Sequence, residues 1–491
     1  MGTVLSILLT PFILCDARAD AREALDQLNQ NVRFYRLDNG LRVLLYRRGE
    51  APVFFGSVIA RVGGVDEMPG YTGISHMFEH MAFKGTTTVG TTDYPRERRL
   101  LDQLERYMQR EAAGEELSPD DRKQIEAINA ELETLWHGVE YDQEIERRGG
   151  LNNNAMTTKD ATKYYVALPR NQFEFWCWIE AERIMHPVMR QFYKERDVVM
   201  EERRMRFEND PFGKLFETVL GVVYHRHPYS YPVIGFESDI RTLTASQTEK
   251  FREKYYVPGN IVISVVGDVN ADRDIETIKK YFGKIPTGPV PAAPHAVEAE
   301  QEGERRVSIE HDSSPQLLIA YRKVQYPHPD SAALSVMLEA MVGGRTSPFY
   351  KEIVQRREIA TSIDYSEQPG ELYPNLAMFF AQPRHPHTNA ELLKIFDEEL
   401  DKFKSKPIDS AALEIVRRRV AMSYLKSLRS SESLAMDLAS NEALYNDWRV
   451  SSKWFDQLMS VSAADVQRVA KQYMVPKART IGTVDQPGGK S

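Results

Sequence analysis

Internal repetition is the feature that most limits the folds open to this chain. Residues 244–267 read as a capped helix that ends at Val257-Pro258 and is followed by an apolar strand. The second half closes with the same unit, in which a helix that begins near Ser462 ends at Val475-Pro476 before another apolar strand. A repeated supersecondary unit in a chain of 491 residues predicts two related halves.

Each half mixes strands with helices. Residues 34–47 contain two strand-like runs around an Asp38-Asn39-Gly40 turn, and helical segments follow. We therefore predict an α+β fold of two homologous domains, each with a mixed, largely antiparallel sheet flanked by helices. The predicted domains are an N-terminal one at 30–284 and a C-terminal, non-catalytic one at 306–486. The proline-rich and acidic stretch at 285–305 is the predicted linker.

The chemistry of the first half is indicated by His76-Met-Phe-Glu79-His80. This is the H-x-x-E-H pattern, the inverted form of a zinc-protease signature. On a helix, His76 and His80 lie one turn apart on the same face, where both imidazoles can bind one metal ion. Glu79 borders that face and is placed to take a proton from a metal-activated water. We predict a zinc site with Glu79 as the catalytic base.

The duplication predicts one metal site per chain. The segment that contains His76 and His80 aligns with a segment of the second half that has Val336 and Ala340 at the same positions. Neither valine nor alanine can ligate a metal, so the second half cannot bind zinc there.

A charged segment at 94–138 lengthens the first half. Its apolar residues fall at helical spacing in two runs, with a turn between them at which Ser118 caps a helix that begins with Pro119. We predict an inserted helical hairpin with solvated charged faces; a role in gating or partner contact is the alternative.

A zinc site with two histidines needs a third protein ligand. The segment from Glu195 to Glu202 is the best candidate, because those two carboxylates are seven residues apart and share a helical face. Charged helical runs are more often solvated surfaces, and only the histidine pair favours a metal-binding role here.

Together these residues resemble the pitrilysin, insulinase and mitochondrial processing peptidase family of inverted zincins, over about Phe34 to Val484. The resemblance implies that His76, His80 and Glu202 hold one Zn²⁺ ion and that Glu79 is the general base. It also implies a clam-shell arrangement in which the two domains face each other and enclose the site.

The resemblance also selects among the carboxylates. The family keeps a glutamate seven residues before its ligand, which matches Glu195 to Glu202 and excludes Glu201 as the ligand. Glu195 is then expected to support the metal ligands without binding the metal itself. The spacing between His80 and Glu202 exceeds the family's usual spacing by about the length of the hairpin.

The segment around Asn154 and Ala155 resembles the family's active-site edge strand, where a peptide substrate adds as a further strand. We predict that both residues bind substrate. An ordinary strand with β-favouring threonine and tyrosine residues is the alternative interpretation.

One departure from the family concerns partners. Many active members carry an Arg and, seven residues later, a Tyr that reach the substrate, whereas Val354 and Thr361 occupy those positions here. Arg356, Arg357 and Tyr365 are nearby, but the register does not favour them. In some family members one chain holds the zinc and a second chain carries the Arg/Tyr pair. We therefore predict a heterodimer with a related subunit that supplies this pair.

The predicted function is zinc-dependent endopeptidase activity on peptides or unfolded polypeptide segments. A non-catalytic structural or assembly subunit of the same fold is the alternative, and a peptidase that is active alone is a third possibility. The net charge of −8 argues against nucleic acid as a partner, because binding phosphates needs a basic face.

The N-terminus predicts export. Residues 4–15 form an apolar run of signal-peptide length, although a basic segment before it is missing. Ala17-Arg18-Ala19 offers a cleavage site, so residues 1–19 are the predicted signal peptide and the mature protein is expected to be periplasmic or secreted. No other segment predicts a stable membrane span. Cys177 is then the one cysteine of the mature chain, and its apolar helical surroundings predict a buried thiol.

Overall fold

A computed structural model describes residues 17–49, 51–136 and 141–487. The apolar run at 4–15 lies outside the described residues, whereas Ala17-Arg18-Ala19 forms the first turn of a helix. Among the helices of the described part, none is long and apolar enough to cross a membrane.

Eleven strands form two sheets in the described residues. The strands are β1 (Arg33–Arg36), β2 (Arg42–Arg47), β3 (Val53–Ala60), β4 (Leu151–Thr157), β5 (Thr162–Pro169), β6 (Ile261–Gly267), β7 (Arg305–Glu310), β8 (Gln316–Lys323), β9 (Ala360–Gln368), β10 (Asn375–Pro383) and β11 (Arg479–Asp485).

Helices flank both sheets. They are α1 (Ala17–Asn31), α2 (Ile74–Met81), α3 (Tyr94–Ala112), α4 (Pro119–Leu135), α5 (Tyr141–Glu146), α6 (Phe173–Met185), α7 (Phe192–Arg203), α8 (Pro211–Val223), α9 (Glu237–Thr242), α10 (Ala245–Tyr255), α11 (Ala271–Phe282), α12 (Ser331–Val342), α13 (Asn389–Ser405), α14 (Ser410–Arg429), α15 (Ser431–Tyr445), α16 (Val450–Ser460) and α17 (Ala463–Tyr473).

The two sheets have corresponding topologies. The first has the strand order β1-β2-β6-β3-β5-β4, and the second has the order β7-β11-β8-β10-β9. Only β2 with β6 and β7 with β11 pair in parallel among the described strands, and every other pair is antiparallel. The predicted α+β class with mixed, largely antiparallel sheets is confirmed.

The repeated unit occupies the same place in both halves. α10 and α17 each begin with a capping box, in which the N-cap side chain and the N3 side chain bond each other's backbone N–H. Each helix leads through a proline turn into an inner strand, β6 or β11. Between α11 and β7 the chain forms neither helix nor strand, and the role of 285–305 as a linker stays a prediction.

A helix of each half packs on the sheet of the other half, which the sequence did not predict. α15 of the second half packs on the first sheet, where Leu438 and Ala439 join a buried cluster with Ile59 of β3. Conversely, α8 packs on the second sheet, and Val219 approaches β11 at Gly482. A Cβ atom at Gly482 would lie 2.5 Å from Val219 Cγ2, so the helix can come this close only because the residue is glycine.

The segment at 94–138 contains two packed helices, α3 and α4. Ser118 caps α4 as predicted: its Oγ accepts the N–H of Asp121 at 3.1 Å, and Pro119 is the first helical residue. The hairpin is anchored to the body by Arg190, whose Nε donates to the fully buried Glu97 at 2.5 Å. Arg190 also donates to the carbonyl oxygens of Lys84 and Thr86, which directly follow α2.

Candidate metal centre

The short helix α2 carries His76, Glu79 and His80, and its start is fixed by a buried carboxylate. Glu67 Oε2 accepts the N–H of Gly73 at 2.8 Å, and its Oε1 accepts the N–H of Ser75 at 2.9 Å. These N–H groups belong to the first turn, where a helix has no backbone acceptors of its own. Burial raises the pKa of Glu67 to about 7.

Three atoms from α2 and α7 converge. Glu202 Oε2 lies 3.8 Å from His76 Nε2 and 3.6 Å from His80 Nε2, and the three ligand atoms all lie within 4.8 Å of one another. Tetrahedral zinc with ligands at ~2.0–2.1 Å requires ligand atoms about 3.3 Å apart. The residues therefore fit zinc with a small contraction. In the described part of the chain no other group of His, Cys, Asp and Glu side chains converges in this way.

Glu195 orients His80. The Nδ1 atom of His80 lies 2.9 Å from Glu195 Oε1, and Lys84 Nζ lies 2.7 Å from Glu195 Oε2. When the imidazole donates from Nδ1 to the carboxylate, its Nε2 lone pair is directed towards Glu202. This is the carboxylate–histidine arrangement that supports metal ligands. Sequence reasoning found Glu195 but missed Lys84, although it lies one turn after His80 on the chain.

The structure also distinguishes Glu202 from its neighbour. Glu201 is about half exposed and pairs with Arg204 on the outer face of α7, away from the histidines. Glu202 is largely buried, and its second oxygen, Oε1, lies 2.8 Å from Arg206 Nη1. Arg206 was not among the predicted site residues, although its i,i+4 spacing from Glu202 could have indicated the pair.

The electrostatics of the cluster suit a cation. Burial and the neighbouring His80 lower the pKa of His76 to about 4, so this imidazole is neutral at pH 7, as a metal ligand must be. Burial opposes a charge on His80 too, but hydrogen bonds to Glu195 and Glu202 outweigh it and raise the pKa of His80 to about 9. Burial is likewise outweighed at Glu195, where His80 and Lys84 lower the pKa to about 2.

Glu79 lies beside the cluster in a different environment. Its side chain is largely buried, and this burial raises the pKa of the carboxyl group. Thr157 Oγ1, at the end of β4, donates a hydrogen bond to Glu79 Oε2. The hydroxyl holds one oxygen in place, and a carboxylate with a raised pKa is better suited to accept and return a proton at neutral pH.

β4 is an edge strand of the first sheet and ends beside Glu79. Asn154 and Ala155 pair with Tyr165 and Tyr164 of β5, and within the described residues no strand pairs with the other side of β4. Asn154 Oδ1 accepts the N–H of Ala155 at 2.8 Å. The geometry is compatible with strand addition by a peptide, and a role for these two residues in binding stays a prediction.

The second half lacks the cluster at the corresponding place. Val336 and Ala340, which the alignment of the halves places opposite His76 and His80, are buried in α12. Glu339, which corresponds to Glu79, accepts hydrogen bonds from Tyr365 Oη at 2.9 Å and from Arg419 Nη1 at 2.6 Å.

The residues discussed as an Arg/Tyr pair do not form one in this chain. Val354 is buried, and the exposed Thr361 bonds Gln382 on the neighbouring strand. Arg356 and Arg357 both pair with Glu352 of the second half.

The comparisons with known proteins also distinguish the half with the His76/His80/Glu202 cluster from the half without it. A family model described as "Peptidase M16 inactive domain" matches residues 242–420. This range begins after Glu202 and includes Val336 and Ala340, so it covers the part of the chain without the cluster.

Relatives that match nearly the whole chain are named zinc proteases. The chain is 27% identical to zinc protease PqqE of Helicobacter pylori over 446 residues, which are 89% of each protein. It is 22% identical to the uncharacterized zinc protease YmxG of Bacillus subtilis, over 90% of this chain and 95% of that protein.

Solved structures share the fold. A protease from Helicobacter pylori superimposes with a TM-score of 0.78 at 24% identity, over 93% of this chain and 99% of that one. The first half of the periplasmic protease PqqL from Escherichia coli gives a TM-score of 0.66 at 17% identity, over 93% and 92%. Against the whole of PqqL, this chain covers 48% of that protein.

Proposed function

We propose that the chain is a zinc-dependent endopeptidase acting on peptides or unfolded polypeptide segments. One observation carries the proposal: His76 Nε2, His80 Nε2 and Glu202 Oε2 converge within 4.8 Å, beside the buried carboxylate of Glu79. The names of its relatives as zinc proteases support the same metal.

In this proposal His76, His80 and Glu202 hold one Zn²⁺ ion, and Glu195 positions His80. Bound zinc supplies a Lewis acid that polarises the peptide carbonyl and makes water easier to deprotonate. Glu79 takes the proton of the attacking water and returns it to the leaving nitrogen. The hydroxyl of Thr157 donates to Glu79 Oε2 and holds this carboxylate in place.

We further propose that a related subunit completes the site. Val354 and Thr361 cannot replace the guanidinium and phenol that the family uses on the substrate, and Arg356 and Arg357 pair with Glu352 instead. This chain covers 92% of the first half of PqqL and 48% of the whole protein, so PqqL is about twice as long. A second chain of similar fold is the proposed source of the missing groups.

We also propose that the chain is exported. PqqL, which shares the fold, is a periplasmic protease. The apolar run at 4–15 has the length of a signal peptide and supports the same location.

The proposal of a zinc peptidase is tested by measuring zinc content and cleavage of internally quenched peptides, with the chain alone and with a candidate partner. We expect one zinc ion per chain and activity that requires the partner. The Glu79→Gln variant should keep its zinc and lose turnover by about 10²–10⁴-fold.

The outcomes separate the alternatives. Zinc-free protein that is inert in both assays would establish a structural subunit and refute the enzyme. Full activity of the isolated chain would refute the obligate heterodimer but leave the peptidase intact. A Glu79→Gln variant that retains turnover would refute the assigned base.

A further inference from the structure

A cavity of about 560 Å³ lies between the helical hairpin and the body of the first half, and we call it the hairpin cavity. Its apolar wall includes Leu104 and Met108 of α3, Leu132 of α4 and Phe192 at the start of α7. A volume of this size is typical of sites that bury a ligand rather than of packing defects.

The hairpin cavity is separate from the metal centre but adjoins its supporting helix. None of the three converging ligands nor Glu79 lines it, whereas Tyr193 and Lys194, which directly precede Glu195, do. Tyr193 Oη donates to Glu105 Oε2 of α3 at 2.5 Å, and the other oxygen of Glu105 accepts the N–H of Ser246 at 3.0 Å. Hydrogen bonds to Glu105 therefore join α3 to both α7 and α10.

The charges that line the cavity select the kind of ligand. Four carboxylates and two cations line it: Asp102, Glu105, Glu133, Glu249, Arg98 and Lys194. The side chains of Glu105 and Glu249 have partners within the protein. The side chains of four exposed residues form no ion pair or hydrogen bond with a described residue: Asp102, Glu133, Arg98 and Lys194. Because the carboxylates of the lining outnumber its cations by four to two, an apolar ligand with a positive charge is favoured over an anionic amphiphile such as a fatty acid.

We propose that the hairpin cavity binds a polypeptide segment that presents an apolar side chain next to a lysine or arginine. The apolar side chain enters between α3 and α4, and the cation lies at the opening beside Asp102 and Glu133. Exposed polar groups at the opening, such as the Asn129 amide, can meet the peptide backbone. This proposal requires no zinc and no catalysis, so refuting it would leave the proposed peptidase activity unaffected, and the reverse also holds.

The test uses a fluorescein-labelled peptide of leucine, phenylalanine and lysine, with binding measured by fluorescence anisotropy. EDTA in every sample prevents cleavage of the peptide. The test variant is the double charge reversal Asp102→Lys/Glu133→Lys. The matched control, Glu116→Lys/Glu126→Lys, makes the same change at two exposed hairpin residues outside the cavity.

We expect the Asp102→Lys/Glu133→Lys variant to weaken binding by about tenfold or more, since two attractive pairs become repulsive. The control should stay within about twofold of the parent protein, because its charges lie away from the ligand. A peptide with glutamate in place of lysine should not bind. Equal losses in both variants, no loss in either, or equal binding of the glutamate peptide would each overturn the proposal.

A second measurement locates the peptide. Trp136 lines the cavity, and its Nε1 donates to the buried Glu97 at 2.8 Å. Binding of the unlabelled peptide should change the tryptophan emission of the parent protein and should leave that of Trp136→Phe unchanged. A change of equal size in both proteins would place the peptide elsewhere and refute the assignment.

Discussion

Replacing Glu195 by glutamine tests how much this carboxylate contributes to metal binding. In the structure its Oε1 is 2.9 Å from His80 Nδ1, and its Oε2 is 2.7 Å from Lys84 Nζ. Glutamine keeps the size of the side chain but removes the charge that strengthens His80 as a ligand. It also leaves Lys84 without its anionic partner beside the cation site. Loss of such a supporting carboxylate weakens metal affinity by about 10–100-fold.

The assay is a competition titration of zinc against a chromophoric chelator, for the parent protein, Glu195→Gln and Glu201→Gln. Glu201 is the matched control, because it lies on the same helix and pairs only with Arg204 at the surface. We expect Glu195→Gln to raise the zinc dissociation constant by about 10–100-fold and Glu201→Gln to leave it unchanged.

Two results would refute this reasoning. If Glu195→Gln binds zinc as tightly as the parent protein, the contact between Glu195 and His80 does not support the metal. If Glu201→Gln weakens zinc binding as much as Glu195→Gln does, the effect comes from the net charge of α7 and not from the contact with His80.

Three further variants test individual carboxylates. Glu202→Ala should purify with less than one zinc per chain by elemental analysis, because it removes one of the three proposed ligands. A stoichiometric zinc content of this variant would exclude Glu202 as a ligand. Glu67→Ala should lower the free energy of unfolding in urea by about 1–3 kcal/mol, because the N–H groups of Gly73 and Ser75 lose their acceptor. An unchanged midpoint of the urea unfolding curve would contradict this prediction. Burial raises the pKa of Asp437 to about 6, so the parent protein should lose up to about 3 kcal/mol of stability as the pH rises from about 4 to about 6. Asp437→Asn lacks this loss, and a stability difference between the two proteins that does not vary with pH would show the carboxyl group to be unperturbed.

Sequence reasoning predicted those parts of the structure that the local spacing of residues determines. The four-residue spacing of His76 and His80 places both on one face of α2, and the capping pattern at Ser118 places the start of α4. The paired units that end in Val257-Pro258 and Val475-Pro476 correctly predicted equivalent helix–strand units in two sheets. The choice of Glu202 as a metal ligand came from the family resemblance, because no local sequence rule links this residue to α2, which lies far earlier in the chain.

Contacts between distant segments could not be predicted in this way. The apolar face of α15 is compatible with packing on either sheet, and only the folded structure shows that it covers β3 and β6 of the other half. Arg190 is similar: nothing near it in the sequence indicates that it holds Glu97 of the hairpin and the carbonyl oxygen of Lys84 together. Such groups satisfy polar atoms that are buried by the tertiary fold itself.

Glu79 and Glu339 have different neighbours, and this difference bears on the base role proposed for Glu79. Both glutamates occupy the same position in related helices, so helix geometry alone does not separate them. Glu339 accepts hydrogen bonds from the guanidinium of Arg419 and the phenol of Tyr365. Glu79 has the hydroxyl of Thr157 as its side-chain partner, and its burial favours the protonated form. The base role proposed for Glu79 therefore rests on the surroundings of this carboxylate as well as on the two histidines beside it.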